Sequence, residues 1–135
     1  MNTLTLKATL DRIPEVTAFI DEQLEALDCP MKAQMQIDLA VDELFSNIAH
    51  YAYETGTGDA TVRFWFDAGT RVVSVAFEDT GVAYNPLEKI DPDVTLSAED
   101  REVGGLGIFL VKKTMDAMEY ERLNDRNIVT IRKKI

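Results

Sequence analysis

The strongest constraint on the fold is one long apolar-periodic run, about Met31 to Tyr53. Leu44, Phe45, Ile48, Ala49 and Ala52 recur at spacings of one, three and four, which marks one face of a single helix. Within it lies Asp42-Glu43-Leu44-Phe45-Ser46-Asn47-Ile48-Ala49-His50-Tyr51. Glu43 and Asn47 are four residues apart and stack one turn above the other on a helix. A carboxamide oxygen can ligate a hard cation such as magnesium. A carboxylate beside it can orient or deprotonate a hydroxyl. Taken alone, such a pair more often marks a solvated helix face.

The rest of the chain supplies strands. Asn2 to Ala8 alternates, with Leu4 and Leu6 on one face, and reads as a short strand. Ile13, Val16, Phe19, Ile20, Leu24 and Leu27 recur at helical spacing, and Pro14 places the start of that helix near itself. Asp28-Cys29-Pro30 ends it. Val62, Phe64 and Phe66 share one face of a strand over Ala60 to Phe66, and Asp67-Ala68-Gly69-Thr70 is a hairpin connection. Val73, Val75 and Phe77 share one face of the next strand. By the two-residue period Asp79 falls on that same face. A carboxylate aimed into a core needs a specific partner. Asp79 is therefore either a turn aspartate before Thr80-Gly81 or an acceptor for a ligand's amino group.

Pro86 to Val103 is charged and aperiodic, with a glycine upstream and downstream (Gly81 and Gly104). Its length and borders fit a movable lid or a plain insertion. Gly104-Gly105-Leu106-Gly107 then opens a helix carrying Ile108, Val111, Met115 and Met118. Glycines at a helix start let a ligand reach free amide donors and the positive dipole end, which suits phosphate. Met118 to Leu123 and Asn127 to Lys133 read as a closing hairpin. The order predicts an α/β (α+β) two-layer sandwich, with a mixed, mostly antiparallel sheet covered on one face by helices. All 135 residues fit one domain.

A balance of 14 basic and 24 acidic residues gives a net charge of −10, which argues against nucleic acid and anionic membranes as partners. The single cysteine, Cys29, cannot form an internal disulfide and fits a reducing cytoplasm. The N-terminus carries no apolar signal core, and no apolar run reaches membrane-spanning length.

Three of these segments, in this order, resemble the GHKL (histidine-kinase-like) superfamily of ATP-binding domains. Glu43-Leu-Phe-Ser-Asn47 looks like its N box. Glu78-Asp79-Thr80-Gly81-Val82-Ala83-Tyr84-Asn85-Pro86 looks like its first glycine box, and Gly104-Gly105-Leu106-Gly107-Ile108-Phe109-Leu110-Val111 like its second. The chain is most similar to the anti-sigma factor serine/threonine kinase group. That resemblance implies a Bergerat-type fold, ATP and Mg2+ as ligands, and an ATP lid at about 86–103. It also implies binding of a sigma factor, phosphorylation of a small anti-anti-sigma protein, and a homodimer.

Carried over residue by residue, the resemblance makes Glu43 the catalytic base and Asn47 the magnesium ligand. Asp79 would take the adenine amino group, with Gly81 letting the backbone approach the base. Gly104, Gly105 and Gly107 would meet the phosphates. Ala83 departs from the first glycine box, which often has a second glycine there. The superfamily's adenine-assisting threonine has Thr130 as its nearest candidate, without a settled register. His50, the single histidine, fits no phosphorylated-histidine motif and is expected near the pocket rim. The competing functions are a nucleotide-gated binding module without phosphotransfer and, third, a slow chaperone-like ATPase.

Overall fold

The computed structural model describes residues 1–53, 56–88 and 105–135. In chain order the elements are β1 (Asn2–Lys7), α1 (Ile13–Ala26), α2 (Met31–Tyr51), β2 (Asp59–Asp67), β3 (Val72–Asp79), α3 (Gly105–Thr114), β4 (Ala117–Leu123) and β5 (Arg126–Lys134). Two short 3-10 turns, Leu10–Arg12 and Pro86–Glu88, were not legible from periodicity.

The five strands form one sheet in the order β1-β2-β3-β5-β4. In place of a mixed sheet, every described pairing is antiparallel. The physical reason lies in the last hairpin. The connection through α3 makes β4 run in the same direction as β3, but β5 folds back between them and pairs antiparallel with both. The β4–β5 turn is Asn124-Asp125, both at positive φ (52° and 62°), the conformation that matches the strand twist in a two-residue hairpin. The expected α/β architecture is otherwise what the chain adopts.

α1 starts with Pro14 in its first turn and buries Val16, Ile20 and Leu24. It stops at Asp28, whose left-handed backbone (φ 51°) turns the chain while the Cys29 N–H returns to the Leu24 carbonyl at 3.1 Å. α2 has 21 residues, and at 1.5 Å per residue it spans about 30 Å. It buries Ile37, Ala40, Val41, Leu44, Phe45 and Ile48 against the inward sheet residues Val62, Phe64, Val73, Val75, Phe77 and Ile131. Each large side chain so buried contributes about 1.5–3 kcal/mol. The other sheet face carries an ion-pair cluster: Glu78 is held by Arg63 (2.5 Å) and Arg126 (2.9 Å). Burial opposes charging Glu78, but hydrogen bonds from Arg126 and Arg63 outweigh it and hold its pKa below the usual carboxylate range.

An acidic cluster lies where α1 meets α2. Gln34 donates to Asp21 (3.1 Å) and Thr17 to Asp42 (3.1 Å). Burial, then a hydrogen bond with Asp21 and the charges of Asp21, Asp42 and Glu25, push the Asp38 carboxyl up to about 8. Below about pH 4 both folded and unfolded chains are protonated at this site. Between there and about pH 8 the folded chain holds a proton that the unfolded chain has released, so the site lowers stability as pH rises. We expect Asp38→Asn to be more stable than the wild type by about 1–2 kcal/mol at pH 8.5, a gain kept small by solvent screening, and the gain to vanish near pH 4. Urea unfolding at both pH values checks this; an equal difference at both would contradict it.

Candidate functional site

Two rows of apolar residues end in polar ones at the same end of the sheet. On β3 the row Val73, Val75, Phe77 ends in Asp79, and on β5 the row Ile131, Val129 ends in Asn127. Asp79 and Asn127 face each other in the strand register, and both are buried. α2 passes over this end of the sheet and contributes Asn47, also buried. The three polar side chains line one narrow cleft with Leu44, Ile48, Ala52, Phe77, Tyr84 and Val129. An apolar slot with a few convergent polar groups is the usual form of a small-molecule site.

The Asp79 carboxylate is oriented by two donors to one oxygen. Its Oδ1 accepts from the Gly81 N–H and from Asn127 Nδ2, each at 2.9 Å. The side-chain Nδ2 of Asn47 has no hydrogen-bond partner among the described residues, although it is buried. Such a donor costs on the order of 1–3 kcal/mol unless something meets it. A phosphate oxygen entering the cleft is a partner of the right chemistry. Tyr84 lines the cleft, and its ring stacks on Tyr51 of α2 with centroids 5.3 Å apart.

Glu43 opens onto a second cleft beside the first, with Leu39, Ala40, Gly107, Leu110, Val111 and Thr114. Its carboxylate lies against the first turns of α3. A Cβ on Gly107 would stand 2.1 Å from the Glu43 carboxyl carbon, so the glycine leaves room for that side chain. Gly105 is the first residue of α3, and Gly104 lies outside the described residues. The structure thus brings Asn47 and Asp79 into one cleft and sets Glu43 with Gly107 next to it.

Residues 6–133 match the model of the histidine kinase-like ATPase domain. The chain belongs to the histidine kinase-like ATPase family. It is also similar to the serine/threonine-protein kinase BtrW of Bordetella bronchiseptica, with 29% identity over 100 residues, 74% of this chain and 70% of that protein. The superfamily resemblance read from the three motifs is therefore borne out.

Within this family frame several residues fall differently from expectation. His50 is exposed, pairs with Ser46 (3.4 Å), and lines a different hollow with Ala8, Leu10 and Tyr53. Thr130 pairs with Ala76 on β3, and by strand alternation with Val129 and Ile131 it faces the outer side of the sheet, away from the cleft. The place opposite Asp79 is taken by Asn127, a residue the motif reading missed. The two-residue period that singled out Asp79 finds Asn127 as well, because it continues the row of Val129 and Ile131. Of the lid expected at 86–103, the turn Pro86–Glu88 is described and positions 89–103 lie outside the described residues. Among the described residues no three His, Cys, Asp or Glu side chains converge as a metal cage. A cation held by the Asn47 oxygen would therefore need phosphate oxygens or water to complete its shell.

Gly81 has a structural duty. A Cβ there would lie 2.0 Å from the Ala52 carbonyl oxygen at the end of α2. That same oxygen accepts from the Val82 N–H at 2.8 Å. The turn after β3 thus meets the end of α2 backbone to backbone, which only a glycine permits. We expect Gly81→Ala to lose about 1–3 kcal/mol of stability through overpacking, measured by urea unfolding; an unchanged midpoint would contradict the contact.

Proposed function

We propose that this domain is an ATP-dependent serine/threonine protein kinase of the anti-sigma regulatory type, acting in the cytoplasm. One observation carries the reading: a single turn of α2 presents Asn47 to the nucleotide cleft and Glu43 to the adjoining opening at the start of α3. Base recognition, phosphate binding and access for an acceptor then lie in sequence along one helix. Asp79 accepts the amino group of adenine, and the amides around Gly104, Gly105 and Gly107 receive the phosphates. Magnesium, when bound, neutralises phosphate charge and aligns the terminal phosphoryl group, and Asn47 is the side chain that would hold it.

Glu43 takes the proton of a serine or threonine hydroxyl. The hydroxyl oxygen forms a bond to the terminal phosphorus of ATP as the bond to the bridging oxygen breaks, and ADP leaves. The protein contributes position and charge, as phosphoryl transfer requires.

The surface around Glu43 favours a protein acceptor over water. Met31, Met35 and Leu39 precede Glu43 at four-residue steps along the same ridge of α2 and are 78%, 60% and 66% exposed, with Leu110 of α3 beside them at 50%. An apolar ridge of this kind on a soluble-type surface marks a protein contact. The similarity to a serine/threonine-protein kinase supports the same reading. The acceptor is a small anti-anti-sigma protein, a sigma factor is the second partner, and the active species is a homodimer. These partners follow from the family resemblance.

The test uses labelled ATP and a small anti-anti-sigma protein as the acceptor. Phosphate should reach a serine or threonine of that protein. Glu43→Gln should slow transfer by about 10²–10⁴-fold with ATP affinity retained. Transfer at the wild-type rate by Glu43→Gln would remove the base assignment, and nucleotide-dependent partner binding without any phosphoprotein would favour a binding switch.

A further inference from the structure

We propose that Asn127 sets the base specificity of the nucleotide site by holding Asp79 as an obligate hydrogen-bond acceptor. The inference rests on the reading of the Asp79 cleft as the adenine site and goes beyond it, because no motif points to Asn127.

The carboxamide of Asn127 is 2% exposed and uses its full hydrogen-bonding capacity. Nδ2 donates to Asp79 Oδ1 (2.9 Å) and to the Val82 carbonyl (2.7 Å). Oδ1 accepts from the Tyr84 N–H (3.2 Å) and from the Tyr120 hydroxyl (2.5 Å). Only one orientation of the amide satisfies these four partners. Rotated by half a turn, its oxygen would face the oxygens of Asp79 and Val82. The partners themselves define what faces Asp79: a fixed donor, anchored from β4 and from the 81–84 turn.

The consequence falls on Asp79. With Asn127 Nδ2 and the Gly81 N–H both donating to Oδ1, the carboxylate cannot rotate without losing two bonds. Its second oxygen is left for a ligand in the cleft, and as a carboxylate oxygen it offers acceptance only. A purine with an exocyclic amino group at position 6 supplies the matching donor. A 6-oxo purine puts an oxygen against that oxygen and leaves both unpaired in a buried place. Sites built to bond a particular polar group discriminate strongly for this reason. Asn127 does not need to touch the base. It is a positioning residue, and its removal should act on the choice between bases.

ADP and IDP differ at position 6 and make a direct probe. Calorimetric titration of the folded wild type should show a preference for ADP of about a hundredfold or more. In Asn127→Ala the ratio of the two affinities should narrow at least tenfold, mainly by loss of ADP binding. Asn127→Asp keeps the shape, puts oxygen against oxygen, and should narrow the ratio as much, so it serves if the alanine variant does not fold. Tyr120→Phe removes one bond on the far side of the amide and should lower the unfolding midpoint with the ratio kept within about threefold of the wild type. A purely structural role for Asn127 would weaken both nucleotides equally, and an unchanged ratio in the folded Asn127 variants would overturn the proposal. Failure of the wild type to bind either nucleotide would instead overturn the adenine reading of the cleft and the proposal with it.

Discussion

The burial of one side of α2 against the sheet is the interaction on which the site depends. Ile37, Val41, Leu44, Phe45 and Ile48 lock the helix in rotation and in height over the strands. Once that face is fixed, the positions of Glu43 and Asn47 follow from 100° per residue. Asn47 enters the cleft beside Leu44 and Ile48, and Glu43 reaches the start of α3. The free energy that packs the core therefore also holds a carboxamide with an unmet donor in a buried place. A few kcal/mol of strain of that kind is tolerable only because the apolar contacts around it are many.

Much of this was legible in the residues because the periods were strict. Val73, Val75 and Phe77 placed Asp79 on the inner face, and the buried carboxylate is there. The same period runs through Ile131 and Val129 to Asn127, but that asparagine belongs to no motif. What local pattern could not show is contact between distant segments. The apolar period of α2 runs on to Tyr53, yet the helix stops at Tyr51, and the Ala52 carbonyl accepts from the Val82 N–H. The close approach of Gly81 to the Ala52 carbonyl, which fills the place of a Cβ, is a contact of this kind. His50 follows Asn47 by one turn of the same helix, but it is exposed and lines the hollow with Ala8, Leu10 and Tyr53.

Charge is managed differently on the two sides of the molecule. On the outer sheet face Glu78 is neutralised by Arg63 and Arg126, and its carboxylate form is favoured. At the α1–α2 seam carboxylates gather without a cation among the contacts described there, and Asp38 responds by holding its proton. The net charge of −10 is thus spread over paired and unpaired sites. Neither Glu78 nor Asp38 lines the cleft of Asn47 and Asp79, whose one described carboxylate is that of Asp79.

The most direct test of the account is an amide-resolved NMR titration of the labelled protein with ATP and magnesium. The Asn47 side-chain amide, the Gly81 and Gly107 backbone amides and the Asn127 side-chain amide should shift together along one saturable curve. Those four lie on α2, the β3 turn, α3 and β5, and only a ligand seated across the site perturbs all of them, Asn127 and Gly81 through their bonds to Asp79. Shifts confined to surface residues, or none up to millimolar nucleotide, would contradict it.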